Sequence, residues 1–128
     1  MAKTVLIVED EENISIALRY LMKGKGYDVR VARDGEEALT MVADQPPDLM
    51  LLDVMMPKRD GYDVCQTIRA NPDWQGIKII MLSARGRDIE VEKGLALGAD
   101  AYLTKPFSTR DLAAKVQSML DDGNGEQS

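Results

Sequence analysis

Apolar residues in this chain recur with two different periods. Short apolar runs at residues 5–8, 28–32, 49–52, 79–82 and 101–104 have the length of strands. Between them the apolar positions take up helical spacing. Ile14, Ala17, Leu18, Leu21 and Met22 mark a first helix, which should stop at Gly24 and Gly26. Asp34 is placed to cap a second helix carrying Ala38, Leu39, Met41, Val42 and Ala43; Glu36 and Glu37 favour its first turn, and Pro46-Pro47 closes it. Val64, Cys65 and Ile68 mark a third helix, ending before Pro72. A fourth starts near Arg87-Asp88 and carries Ile89, Val91 and Leu95; Gly94 inside it costs about 1 kcal/mol of intrinsic stability relative to Ala. Ser108 and Asp111 fit a capping-box-like start for a fifth, running on Leu112, Val116, Met119 and Leu120 to about residue 120. A domain over residues 1–121 is expected, with residues 122–128 as a flexible polar tail.

Strand and helix thus alternate five times, which predicts an α/β fold built on a parallel sheet. The runs at 5–8, 49–52 and 79–82 are apolar throughout, as befits strands covered by helices on both faces. Five units are too few for an eight-stranded barrel, so the expected form is an open, doubly wound (βα)5 sheet.

Composition narrows the function. The 128-residue chain carries a net charge of −6, which argues against direct binding of nucleic acid. No apolar stretch approaches the roughly 20 residues that span a bilayer, and no signal-peptide pattern is visible. With Cys65 as the only cysteine, the cytoplasm is the expected location. The absence of histidine disfavours zinc and other soft-metal sites, so a bound metal should be a hard, oxygen-liganded ion. Cys65 reads as a small core residue, Met50, Met55, Met56 and Met81 as fillers of apolar space, and Trp74 as a surface loop residue.

The ends of the strand runs carry the chemistry. The first run ends in Glu9-Asp10, the third in Asp53, the fourth in Ser83 and the fifth in Lys105-Pro106; the second ends without such a group. In an open parallel sheet, ligands bind beyond the carboxyl ends of the strands, at the switch point of strand order. In the order 2-1-3-4-5 that point lies between strands 1 and 3, where Glu9, Asp10 and Asp53 would face one another. Carboxylates that close repel, and a hard divalent cation such as Mg²⁺ relieves the repulsion. A carboxylate beside such an ion can attack a phosphoryl group. Asp53 stands alone at its strand end and is the best nucleophile. The Glu9-Asp10 pair suits metal binding, Lys105 can neutralise phosphoryl oxygens, and Ser83 can donate a hydrogen bond to one.

These residues, in this order, resemble the receiver domain of bacterial two-component response regulators, of the chemotaxis-regulator type. The resemblance rests on Val8-Glu9-Asp10-Glu11, on Asp53-Val54-Met55-Met56-Pro57 followed by Asp60-Gly61, on Leu82-Ser83-Ala84 and on Lys105-Pro106-Phe107, and covers about residues 3–120. It implies a flavodoxin-like sheet of order 2-1-3-4-5. It also implies a phosphorelay signalling domain rather than an enzyme, one that promotes its own phosphorylation and dephosphorylation. Asp53 would accept a phosphoryl group from a sensor histidine kinase, a phosphotransfer protein or a small donor such as acetyl phosphate. Mg²⁺, with Mn²⁺ as a substitute, would be held by Asp10, Asp53 and the Met55 backbone carbonyl, with Glu9 helping through water. Ser83 and Tyr102 would be the switch pair, and the Lys105-Pro106 bond is typically cis.

Departures from the family pattern are informative. Glu9 stands where many receivers carry Asp, and Lys58-Arg59 adds charge to the loop after Asp53. Met55 and Arg85 occupy positions that set the lifetime of the phosphate in the family; their size favours a long-lived phosphoryl state. The resemblance assigns output to the surface of helix 4, strand 5 and helix 5. There Lys93, Asp100, Asp111 and Lys115 match the charge pattern of dimerising members, whereas Ala96, Ala101 and Gln117 do not. Exposed bridges contribute ~0–1 kcal/mol each, so a homodimer through this face is weakened rather than excluded. A stand-alone signalling module is the leading reading; a receiver domain excised from a longer DNA-binding regulator is the alternative. A haloacid-dehalogenase-type phosphatase would need an Asp-x-Asp pair after the first strand and a cap domain. A flavin-binding protein would need a Ser/Thr-rich phosphate loop there, where this chain has Glu9-Asp10-Glu11-Glu12.

Overall fold

Each apolar run becomes a strand, and each helical pattern a helix. The computed structural model describes residues 2–56, 58–84 and 86–125, so Pro57, Arg85 and residues 126–128 of the expected tail lie outside it. The described residues form β1 (Thr4–Val8), α1 (Glu12–Gly24), β2 (Asp28–Ala32), α2 (Gly35–Asp44), β3 (Leu49–Asp53), α3 (Gly61–Ala70), β4 (Lys78–Ser83), α4 (Asp88–Ala96), β5 (Ala101–Thr104) and α5 (Thr109–Gly125). All strand pairs are parallel, in the order β2-β1-β3-β4-β5. The flavodoxin-like order implied by the resemblance is the one observed.

Alternation along the strands sorts the core into two layers. Leu6, Val8, Met50, Leu52, Ile79 and Met81 pack with Ala38 and Val42 of α2 and with Val64, Cys65 and Ile68 of α3. Val5, Ile7, Leu49, Leu51, Ile80 and Leu82 pack with Leu18 and Met22 of α1 and with Leu112, Val116 and Leu120 of α5. Because β1, β3 and β4 are covered on both faces, neither register of side chains is free to be polar. That is why these runs are continuously apolar. Buried Leu, Ile and Met side chains contribute about 1.5–3 kcal/mol each.

The caps read from sequence are in place. Asp34 accepts a hydrogen bond from the Glu37 N–H at 2.8 Å, and Ser108 accepts one from the Asp111 N–H at 3.2 Å. Cys65 is buried, as expected of a core residue. Three details differ. The α5 helix continues past residue 120 to Gly125, because no proline interrupts it and each added residue gains a further backbone bond. Trp74 belongs to a 3-10 turn, Pro72–Trp74, and packs half-buried against the α2–α3 side of the core. In α4 the apolar Ile89 and Leu95 face solvent, 69% and 45% exposed, while Glu90 and Gly94 are buried. The reason lies beneath the helix, where Met81 and the Tyr102 ring leave no room above Gly94; a Cβ there would meet the Met81 sulfur at 2.8 Å.

At the amino-terminal edge of the sheet, Arg69 binds several chain segments together. It donates to the Gly98 carbonyl at 2.9 Å, to the Trp74 and Gln75 carbonyls at 3.4 Å, and pairs with Asp100 at 2.9 Å. Asp100 in turn accepts from the Ile79 N–H at 2.8 Å. Removing the guanidinium would leave three carbonyls without this donor and the Asp100 carboxylate without its cation. Arg69→Met should therefore destabilise the fold by about 2 kcal/mol in urea unfolding; a loss below about 0.5 kcal/mol would contradict this account. Burial pushes the Cys65 thiol up to about 11, and its S–H reaches the Leu97 carbonyl at 3.6 Å. Only a minute thiolate fraction then exists at pH 8. Ellman's reagent should label Cys65 only when the protein unfolds; fast labelling of the native protein would show the thiol is accessible.

Candidate functional site

The carboxyl ends of β1 and β3, adjacent in the sheet, hold the acidic residues. Backbone bonds fix each of them before any side chain acts. The Glu9 N–H donates to the Ala32 carbonyl at 3.0 Å, tying the end of β1 to β2. The Val54 N–H donates to the Leu82 carbonyl at 3.0 Å, extending the β3–β4 ladder just past Asp53. The Gly61 N–H returns to the Val54 carbonyl at 2.8 Å, so the loop after Asp53 closes on itself. Gly61 is required there: a Cβ would sit 2.6 Å from the Asp53 carbonyl oxygen. Asp60, whose role the sequence reading left unassigned, caps α3 by accepting from the Asp63 N–H at 2.8 Å. Within the loop Lys58 adopts φ 68°, in the left-handed region, and its ammonium lies 3.5 Å from Asp34 at the start of α2.

Glu9, Asp10 and Asp53 converge: one oxygen from each lies within 4.8 Å of the others. Glu9 and Asp53 are buried, and Asp10 is exposed at the rim. Lys105, carried on the loop after β5, reaches across the sheet end. Its Nζ lies 3.1 Å from Glu9 Oε1 and 3.3 Å from Asp53 Oδ1. The Lys105 N–H donates to the Ser83 carbonyl at 2.7 Å, and the Lys105-Pro106 bond is cis. The second Glu9 oxygen accepts from the Glu11 N–H at 3.2 Å. Both Glu9 oxygens therefore have partners within the chain, a pairing across 96 residues of sequence that no local pattern announces.

Electrostatics follow from burial and proximity. Burial, reinforced by the neighbouring Asp53 charge, pushes the Glu9 carboxyl above its ordinary range. Burial also raises Asp53, and the Lys105 ammonium opposes that without cancelling it. Burial disfavours the Lys105 ammonium, but Asp53 and Glu9 together outweigh it and hold its pKa above the usual lysine value. Two buried carboxylates thus share one ammonium, with Asp10 beside them at the rim. The donor set is all oxygen, and it fits a hard divalent cation on both charge and ligand type.

The other sequence candidates fall around this cluster. Ser83 is the fully buried last residue of β4, one step past Leu82, which lies opposite Asp53. Met55 follows Asp53 by two residues in the loop after β3, and its backbone slightly offsets the burial that raises the Asp53 carboxyl. Met55 also lines a cleft of about 410 Å³ with Asp10, Val54, Met56, Asp60, Tyr62 and Lys93. Contrary to the reading of Met55 as an apolar filler, its side chain is 51% exposed, because the loop holds it at the rim of this cleft. Met56 is partly buried against the core, and Met50 and Met81 lie within it. Arg85 lies outside the described residues. Tyr102 is not in the acidic cluster; it sits half-buried on β5, opposite Met81, with its ring against Gly94 of α4. Tyr62 was not singled out from sequence, although an aromatic residue directly after the Asp60-Gly61 cap is the signal that marks it. No helix among the described residues is long and apolar enough to cross a membrane.

Comparison with known proteins shows which family has this fold and sequence. A putative response regulator from Chloroflexus aurantiacus is 37% identical, with TM-score 0.89 over 94% of this chain and 98% of that one. The signal receiver domain of a signal transduction histidine kinase from Syntrophus aciditrophicus is 34% identical, with TM-score 0.88 over 94% and 92%. The BeF3-activated N-terminal receiver domain of Klebsiella pneumoniae RstA is 30% identical, with TM-score 0.86 over 92% and 98%. Residues 5–117 match the response regulator receiver domain, and the chain belongs to that family of two-component signalling domains.

Proposed function

We propose that the chain accepts a phosphoryl group on Asp53 and passes the event to a partner as a change of surface. The observation that carries this reading is Asp53 itself: a buried carboxylate ending the central strand, 3.3 Å from an ammonium and flanked by two further acids. In the reaction, an Asp53 carboxylate oxygen attacks the phosphorus of a phosphohistidine on a histidine kinase or phosphotransfer protein. The phosphorus–nitrogen bond breaks, and the imidazole leaves with its electron pair. Lys105 neutralises the phosphoryl oxygens, and Ser83 donates a hydrogen bond to one of them. Asp10, Asp53 and the Met55 carbonyl would hold Mg²⁺, or Mn²⁺ in its place. When bound, the ion supplies positive charge to the phosphoryl oxygens and relieves the carboxylate repulsion. Glu9 holds Lys105 in position and would help to hold the ion through water.

The BeF3-activated state described for the RstA receiver supports reading Asp53 as a phosphoacceptor, as does the presence of a similar receiver within a histidine kinase. Tyr102, packed on α4, is placed to report movement of Ser83 to the α4–β5–α5 face, where an effector protein would dock. Self-association through that face is further weakened by the engagement of Asp100 with Arg69. Met55, exposed at the rim of the site, hinders the attacking water and lengthens the phosphoryl state.

With Mg²⁺ and acetyl phosphate, intact mass should show one added phosphoryl group on the wild type and none on Asp53→Asn. No adduct from acetyl phosphate or from a phosphohistidine donor would refute the proposal. Millimolar Mg²⁺ should raise the melting temperature of the wild type by a few degrees, on the order expected from ligand linkage. An equal rise in Asp10→Asn would remove Asp10 from the ion's ligands.

A further inference from the structure

Among the helices covering the sheet, α4 is lightly anchored. Of its nine residues only Glu90 and Gly94 are buried. Its position therefore depends on few contacts, and elements held this way are the ones that move. One contact is Gly94 against Met81 and Tyr102. Another comes from α3. The Tyr62 hydroxyl donates to the Glu90 backbone carbonyl at 3.2 Å, and the Lys93 ammonium lies 4.4 Å from the centre of the Tyr62 ring. The ring itself is buried, with the residue 8% exposed.

Tyr62 is also joined to the acidic site by a short, tight path. It is the second residue of α3, directly after Gly61. Gly61 is bonded to the Val54 carbonyl and lies so close to the Asp53 carbonyl that no side chain fits between them. A displacement of the Asp53–Met55 backbone must carry Gly61 and Tyr62 with it or break this contact, because close-packed interiors transmit displacement rather than absorb it.

We propose that Tyr62 is a positioning residue that couples the Asp53 site to α4, through its hydroxyl on Glu90 and its ring beneath Lys93. The proposal rests on the reading of Asp53 as phosphoacceptor. It is distinct from the Ser83–Tyr102 route, because it runs through the first turn of α3 rather than along β4 and β5. It also gives Lys93 a second role. This residue matches the charge pattern of the output face, yet here it is engaged within the chain. Release of the Tyr62 contact frees the exposed ammonium to reorient toward an acidic group on a partner.

Hydrogen exchange of α4 peptides in the full chain tests both parts. Without any donor, Tyr62→Phe keeps the ring and loses the hydroxyl. It should exchange about 3–10-fold faster in α4 than the wild type, with β1 and α5 peptides unchanged. Unchanged α4 exchange in both Tyr62→Phe and Tyr62→Leu would overturn the tether. With Mg²⁺ and beryllofluoride, the wild type should change its α4 exchange, and Tyr62→Leu should show less than half that change at equal occupancy of the site. An equal response in the variant would overturn the coupling, and a merely structural tyrosine would give that result. Intact mass after acetyl phosphate treatment is read on the same samples. If the wild type takes up no phosphoryl group, the Asp53 reading and the coupling fall together, while the donor-free comparison still decides the tether.

Discussion

One ammonium lies between two buried carboxylates at the carboxyl end of the sheet, with a third acid at the rim. Lys105 Nζ touches Glu9 and Asp53, and Asp10 completes the acidic group. Three negative groups facing one positive group would be a poor arrangement in a protein selected for stability alone. Burial raises both Glu9 and Asp53, so the site favours arrivals that bring positive charge or consume negative charge. A divalent ion does the first, and a proton on Glu9 or Asp53 does the second. The fold supplies what such a site needs: three strand ends and one loop, pinned by backbone hydrogen bonds and converging at one edge.

The same rigidity shapes what happens away from the site. Asp53 is buried in the central strand, and its neighbour Val54 is bonded both to β4 and to the start of α3. Two exits lead from there toward α4. One follows β4 and β5 to Tyr102; the other follows Gly61 to Tyr62. Both end on a helix whose apolar Ile89 and Leu95 are exposed and whose buried positions are Glu90 and Gly94. A helix seated by a glycine, a backbone carbonyl and one ring has little apolar area holding it down. By contrast, the opposite end of the sheet is fastened by Arg69, Asp100 and the backbone groups they bond.

Strand and helix order, the two caps at Asp34 and Ser108, and the meeting of Glu9, Asp10, Asp53, Ser83 and Lys105 at one edge were legible in the sequence. Each follows from local rules: apolar period, capping chemistry, and the requirement that parallel strands end on the same side. The misread positions all depend on packing against a distant segment. Ile89 and Leu95 have helical spacing, yet the layer below α4 is filled by Met81 and Tyr102. Met55 is apolar by type, yet the closed loop after Asp53 turns it outward. Trp74 sits between polar residues, yet a 3-10 turn lays it on the core.

By itself the sequence determined the alternation of elements and the chemical groups at the strand ends, because periodicity and residue type are local properties. The strand order 2-1-3-4-5 came from family resemblance and is observed in the sheet. Only the tertiary structure decided which partner each group has. Glu9 spends its two oxygens on Lys105 and the Glu11 amide, Asp100 is held by Arg69, Lys93 lies over Tyr62, and α4 is seated on a glycine. Those pairings join residues far apart in the chain, and their distances are set by how helices settle on the sheet, which no local pattern of residues encodes.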